Sequence, residues 1–525
     1  MSARVLLPAL VALAAAAGCA HSPQAAPPPD ASGARTATPT TSTGRDSAAA
    51  RDGAATRDTV AAPSLRRAAV ADTVGFPTRP PELPEPKPLT VPPVVERTLP
   101  NGLRLLVVEH HELPVADLVL VVRTGAEADP ADRTGLATLT ASLFDEGAGG
   151  RDALAIADQE AYLGVDLSTG SGWDLSSVSL HAPTARLDSA LALFADVALR
   201  PTFPAKELER LRAERLTQLV QLRDRGPAIA DRVFPAAVFG DEHPYGRPLT
   251  GTEATTRAIT GADVRGFYER YYRPNNAVLI VVGDVQPDDV ARRVGALFGD
   301  WERRDVPAVT AAAAPSAGPT RIILVDKPGA AQSSVRIGGI GVARSTRDYF
   351  PLLVMNTVLG GSFTSRLNQN LRETHGYTYG AGSSFSMRRM PGPFTARGEI
   401  VAAKTDSALI EFMRELRAIR DTVPQDELQK TKRYLQLQLP GDFETTGDIA
   451  NQLVPIALYD LPLDYYDHYS AGIAAVTQAD VQRVARQYID PSHLAIVVVG
   501  DRASVEPTLR ATGIGELVRQ PLPKE

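Results

Sequence analysis

The feature that most constrains this chain is that it repeats itself. "ITGADVRGFYERYYRPNNAVLIVVGD" (259–284) aligns without a gap on "VTQADVQRVARQYIDPSHLAIVVVGD" (476–501), at an offset of 217. Thr, Ala-Asp-Val, Tyr, Pro and Val-Val-Gly-Asp are identical in place. "DSALALF" (188–194) pairs with "DSALIEF" (406–412) at 218, and "TFPAKEL" (202–208) with "TVPQDEL" (422–428) at 220. Three matches at nearly one offset mark a duplicated domain, since the period is too long for a solenoid. At 525 residues the chain is long enough for two such units with real cores.

Each aligned block reads as a helix, a Pro-containing turn, an apolar strand and a Gly-Asp turn. Further strands, "LRLLVVEH" (103–110), "DLVLVVR" (117–123) and "RIILVD" (321–326), alternate with long helical patterns at 204–224 and 348–359. Strands arriving in pairs beside helices predict an α+β fold of two homologous halves, each a mostly antiparallel sheet covered by helices. The halves are expected at 94–302 and 320–510, joined by an Ala/Pro-rich linker at 303–319 and followed by a tail, 511–525.

The start of the chain has a different character. Arg4 precedes the apolar stretch Val5–Ala17, and Gly18-Cys19 follows, as in an export signal over 1–18. Ala16-Ala17-Gly18-Cys19 resembles a bacterial lipobox, which makes Cys19, the only cysteine, the expected lipidation site. With one cysteine there is no intramolecular disulfide, so the folded part must stand on its core. Residues 19–93 are rich in Ala, Pro and Thr and poor in large apolar side chains, the composition of a disordered tether. A net charge of −6, with no basic stripe, argues against a nucleic-acid partner.

"TGLATLTASLFDEG" (134–147) carries Leu136, Leu139 and Leu143 at the spacing of one buried helix face. The other face carries Thr138, Ala141 and Ser142, none a usable metal ligand. Of the eight histidines no two stand three or four apart, so no helix face presents a His pair. His110 and His111 are adjacent strand residues and point to opposite faces. His243 lies in a loop, "DEHPYGRPLTGT", with a structural role expected.

In the second half, "LGGSFTSRLNQNLRETHGYTYGAGSSF" (359–385) spaces Phe363, Leu367 and Leu371 as the buried face of one helix. Gly376 is expected to end it, with Arg372 in the last turn and Tyr379 on an emerging extended segment. An arginine supplies a charged fork for carbonyl or carboxylate groups, and a tyrosine hydroxyl can donate to an oxyanion. The plainer reading has Arg372 satisfying helix-end carbonyls or Glu373, and Tyr379 packing on the sheet. Tyr377 shares a strand face with Tyr379 and is the alternative tyrosine.

Over 94–510 the chain resembles the pitrilysin/insulinase-type zinc peptidases, the inverzincins, through "PNGLRLLVVEHHELPVADLVLVVRTGAEAD" and the "GLA" helix that follows. The resemblance implies two halves forming a chamber. Active members carry H-x-x-E-H directly after Gly-Leu-Ala, two zinc ligands and a general base on one helix. Those places hold Thr138, Ala141 and Ser142 here, and the third ligand place falls on Gln218 in "LERLRAERLTQL". The Arg372–Tyr379 spacing resembles the family's substrate motif "LRExxGxxY", which in active relatives faces the zinc. Some relatives divide zinc and substrate contacts between two similar subunits. The resemblance therefore implies a non-catalytic, substrate-binding subunit, with no cofactor in this chain and zinc in a homologous partner subunit. The complex would cleave peptides or small proteins in the periplasm, held to a membrane through Cys19. The alternative is a peptide-binding or structural subunit of the same fold with no role in proteolysis.

Overall fold

The computed structural model describes residues 89–310 and 313–523. The signal, Cys19 and most of the tether lie outside the described residues. Among the described residues no helix is long and apolar enough to cross a membrane. The first half contributes β1 (Val95–Thr98), β2 (Arg104–Glu109), β3 (Val115–Val122), a short hairpin of β4 (Gly147–Ala148) and β5 (Arg151–Asp152), β6 (Asp166–Ser171), β7 (Ser176–Pro183) and β8 (Ala277–Gly283). The second contributes β9 (Arg321–Asp326), β10 (Gln332–Ile340), β11 (Thr378–Phe385), β12 (Pro393–Val401), β13 (Ala495–Gly500) and β14 (Glu516–Gln520).

Two six-stranded sheets result, ordered β1-β2-β8-β3-β7-β6 and β14-β9-β13-β10-β12-β11. They match place for place: β2 is parallel to β8 as β9 is to β13, and β3 and β10 each lie antiparallel between two neighbours. Only the outer strand at one edge differs in origin. β1 precedes its sheet and runs antiparallel to β2, whereas β14 follows its sheet and runs parallel to β9. Residues after 510, expected as a tail, thus complete a sheet. Leu89 and Val91, placed in the tether by composition, pack on the core.

The apolar runs of the central strands have a direct cause: both faces are covered. Every residue of β8 and of β13 is buried. Leu105, Val107, Leu118 and Leu120 face a core made with the first half's own helices. Leu106, Val108, Val119 and Val121 face the other way, into a core that includes Ile449, Leu453 and Ile456. Those three lie on the helix Thr446–Tyr459 of the second half, which lies on β3 and β8. Reciprocally, the first-half helix Gly226–Phe239 lies on β10 and β13, with Ile229, Val233 and Phe234 packed on Ile323, Val497 and Val499. Each half therefore has one sheet face covered by a helix of its twin. The two helices align at an offset of 220: Ile229 on Ile449, Ala230 on Ala450, Pro235 on Pro455. Both end at a residue of positive φ, Gly240 at 72° and Asp460 at 52°.

Polar contacts lock the junction. The buried Arg336 guanidinium bridges Asp231 (2.6 Å) and Glu399 (3.0 Å). The Asp174 carboxylate accepts the Tyr245 hydroxyl at 2.5 Å and the Arg389 backbone N–H at 2.7 Å. Arg388 lies over the Trp173 and Tyr245 rings, 4.5 and 4.6 Å from their centroids.

Candidate functional site: a degenerate metal helix and an exposed Arg–Tyr motif

The helix Leu136–Ala141 begins at Gly135, which holds φ at 92°. A Cβ there would lie 2.6 Å from the Thr250 carbonyl oxygen, so the position demands glycine on both counts. The Asp129 carboxylate accepts the Gly135 and Ala137 N–H groups at 2.7 and 2.9 Å, satisfying donors that a helix start leaves open. Burial pushes that carboxyl up to about 7, against the pull of these N–H groups and of Arg215. Arg215, buried on the helix Ala205–Leu222, donates to the Gly135 carbonyl at 2.8 Å, and burial lowers its guanidinium to about 10. Leu136, Leu139 and Leu143 are buried as the spacing predicts.

The places of the absent metal ligands are chemically quiet. Thr138 Oγ1 donates to the Gly135 carbonyl at 3.0 Å, and Ser142 Oγ to the Thr138 carbonyl at 2.9 Å. Both hydroxyls are thus turned back onto the helix's own backbone. Ala141 is a buried methyl, and Gln218 is exposed. Two backbone-bonded hydroxyls, a methyl and an amide do not fit catalytic zinc, which takes His, Cys or carboxylate donors. Among the described residues no group of three His, Cys, Asp or Glu side chains could hold a metal ion. His243 accepts the Tyr245 N–H through Nδ1 at 3.0 Å, the structural role expected for it.

Beside this helix runs β6, the outer strand of its sheet. Thr169 Oγ1 donates to the Ala141 carbonyl at 2.8 Å and ties strand to helix. The Gly172 N–H bonds Leu175 O just beyond the Ser171–Ser176 pair, which sets the phase of pairing. Leu167, Thr169 and Ser171 then turn their backbone groups away from β7. Among the described residues those groups meet no backbone partner. The matching edge in the second half, β11, is closed. Asn368 Oδ1 accepts the Ala381 N–H at 2.9 Å, and Asn356 Nδ2 donates to the Ser383 carbonyl at 3.0 Å.

The Arg–Tyr motif sits at the start of β11. Leu367 and Leu371 are fully buried, and Gly376 has φ 63° where the helical stretch ends. Phe363 departs from the expected buried stripe: it is 62% exposed. The reason is that regular helix begins only at Arg366 and continues as a π-helical stretch, Gln369–Thr374, so an α-helical spacing does not carry Phe363 inward. Its ring instead lies under the Arg372 guanidinium, 4.3 Å from centroid to Cζ. Arg372 Nε is 3.5 Å from Glu373.

Tyr379 is 90% exposed. Pairing with β12 shifts register between Thr378 and Ala381, and Thr378 Oγ1 spans the irregularity by accepting the Gly380 N–H and reaching the Glu399 carbonyl. Such a bulge re-aims a side chain, and here it leaves Tyr379 out in solvent. Tyr377 behaves differently from its neighbour. It packs on the core and stacks on His375, centroids 4.9 Å apart.

Sequence reasoning passed over Asp129, Arg215 and the two capping asparagines. Each acts through a backbone group, a role that leaves no periodic signal. Asn356 could have been flagged as a polar residue inside the apolar run "PLLVMNTVL", whereas Asn368 sits in the polar stretch "SRLNQNLRE" and carries no such signal.

Comparison with known proteins agrees with this architecture. Residues 104–253 match the family model for insulinase, peptidase family M16, and 258–435 match the model described as the peptidase M16 inactive domain. An uncharacterized zinc protease of Mycobacterium leprae is 30% identical over 299 residues, 56% of this chain and 66% of that protein. One of Mycobacterium bovis is 27% identical over 426 residues, 79% of this chain and 95% of that protein. Among solved structures, a peptidase M16 inactive domain from Pseudomonas fluorescens superposes with a TM-score of 0.73 at 27% identity, covering 78% of this chain and 98% of that one. With its duplicated sheets, its tandem family matches and its non-ligand side chains where zinc ligands would stand, the chain belongs to the insulinase family of peptidases, as a member with a degenerate metal site.

Proposed function

We propose that this protein is a non-catalytic, substrate-binding subunit of a heteromeric zinc peptidase. The observation that carries the reading is the contrast between the two motifs. The ligand places hold back-bonded hydroxyls and a methyl, while Tyr379 and Arg372 stay accessible on the other half. A partner subunit of the same family supplies the zinc, and the Arg372 fork and the Tyr379 hydroxyl contact the peptide it cleaves. The open β6 edge offers a peptide backbone a row of donors and acceptors. Export, lipidation at Cys19 and a periplasmic site of action complete the proposal.

The test is co-purification with a zinc-bearing homologue, followed by kinetics on the reconstituted pair. Tyr379→Phe removes one donor and little volume, so kcat should fall by about 10²–10³ with KM little changed. Arg372→Ala should raise KM, since it removes a contact already made in the ground state. Normal cleavage by both variants would replace this reading with that of a structural subunit. The local contacts of Arg372, with Phe363 below and Glu373 beside it, are what favour that second reading.

A further inference from the structure

A cavity of about 370 Å³ lies beside the degenerate helix, within the size range of small-ligand pockets. Its walls are Trp173, Leu219, Leu222, Ile229, Pro235 and Leu249. Two of these walls belong to the site already described. Trp173 is in the turn that closes β6, so a chain laid along the open edge toward Ser171 arrives there. Leu249 and Thr250 belong to the loop that packs on Gly135 and accepts from Thr138. The charged groups on the wall have partners within the chain: Asp231 pairs with Arg336 at 2.6 Å, Arg223 reaches Glu253 at 3.2 Å, Arg247 donates to backbone carbonyls of Glu242 and Asp129, and Arg232 is likewise engaged. What the cavity offers a ligand is mostly apolar surface.

The mouth is held by this chain itself. β14 fixes residues 516–520 against β9, and the two residues beyond Pro521, Leu522 and Pro523, line the cavity. Leu522 remains 47% exposed, so the contact is partial and displaceable. We propose that the cavity is a pocket for an apolar side chain of a bound peptide, and that Leu522-Pro523 is a built-in competitor for it. This rests on the peptide-binding reading above. It adds the substrate class, peptides with a leucine-like residue next to the segment paired on β6, and a device that raises the threshold for binding.

The test uses the labelled peptide RQPLPKE, the chain's own 519–525, and reads fluorescence anisotropy. Shortening the chain after Gln520 keeps β14 and frees the mouth; Leu522→Ser does so without shortening. Both should bind the peptide about five- to tenfold more tightly than the full chain, the effect of losing one competing half-buried leucine. Leu222→Glu, at a half-buried wall position, should abolish that gain, and RQSGSKE should not bind. Equal affinity for the full and freed chains, or indifference to Leu222→Glu in a folded protein, would overturn the proposal. The kinetics of Arg372→Ala and Tyr379→Phe on the reconstituted pair report the Arg–Tyr contacts, whereas the gain in tail-peptide binding on freeing the mouth, and its loss with Leu222→Glu, report the pocket alone. Loss of the Arg–Tyr reading and loss of the pocket are therefore separate results.

Discussion

The two halves are the same sheet built twice, and they differ most at their outer edges. β6 leaves alternate backbone groups unpaired beside a helix whose polar face carries only methyl and back-bonded hydroxyl groups. β11, its twin, has those positions taken by Asn356 and Asn368 and displays Tyr379 on a bulge instead. An exposed edge strand is a liability unless it is blunted or used. One edge is blunted by two amides; the other is left for a peptide in the reading proposed above. Duplication fixed the frame, and the edges are where the copies were free to diverge.

The strongest way to break the comparison is at the exchanged helices. Ile229 and Ile449 occupy twin positions and are 4% and 1% exposed. Each to alanine should cost about 2–5 kcal/mol, by lost burial plus a cavity. Because each helix completes the other half's core, both variants should unfold in one transition shifted as a whole. Calorimetry showing two transitions, with each variant moving only one, would mean that the halves stand alone.

The next effect is a pH dependence concentrated in the first half. Among the described residues the carboxyls raised by burial are Glu127, Asp129, Asp145 and Glu160 in the first half, and Asp442 in the second. Glu127 is pushed up to about 8, by burial first and then by the Asp174 carboxylate, opposed by Arg389. A group raised on folding binds more protons in the native state, so stability is greatest below its unfolded value and is lost as pH rises toward 8. The ceiling is about 1.4 kcal/mol per pH unit for one group, so about 2–4 kcal/mol between pH 5 and 8 is expected. Glu127→Gln should flatten the pH profile of chemical denaturation in that window. An unchanged slope would remove Glu127 as its source.

What could be read from the sequence follows from what each signal encodes. The strands 103–110, 117–123 and 321–326 were legible because burial on both faces makes unbroken apolar runs, and 321–326 falls on β9 to the residue. The helix exchange was not. Periodicity says that Ile229, Val233 and Phe234 are buried, never against whose sheet, although the match of 226–239 to 446–459 was there to be seen. The blank ligand face was legible from residue type alone. The bulge that separates Tyr379 from Tyr377 was not, because a register shift belongs to the pairing of two strands and not to either one.

A smaller effect tests the closed edge. Asn368→Ala should leave the buried Ala381 N–H without its acceptor, at about 1–3 kcal/mol. Amide exchange at Ala381 should quicken while β6 amides keep their rates. If exchange at Ala381 stays slow, water or a shift of the strand has replaced the amide, and the contrast between the edges is weaker than drawn here.

The smallest effect concerns Phe363, which an α-helical spacing placed on a helix that begins only at Arg366. A residue 62% exposed has little burial to lose, so Phe363→Ala should cost only the contact with the Arg372 guanidinium, about 0.5–1 kcal/mol for an exposed cation–π pair. Leu367→Ala, on the stripe that is buried, should cost about 2–5 kcal/mol. Thermal denaturation of the two variants side by side separates a ring that packs a core from one that only supports a neighbour. The sharper readout is Arg372 itself. With the ring gone, Glu373 is its one ion-pair partner among the described residues, so the double variant Phe363→Ala/Glu373→Gln should release it. NMR of a labelled Arg372 guanidinium should then show faster side-chain motion, with the fold intact. A large loss of stability on Phe363→Ala would mean that the ring is structural. A stable variant with an unmoved Arg372 would mean that the arginine is held by contacts other than these two.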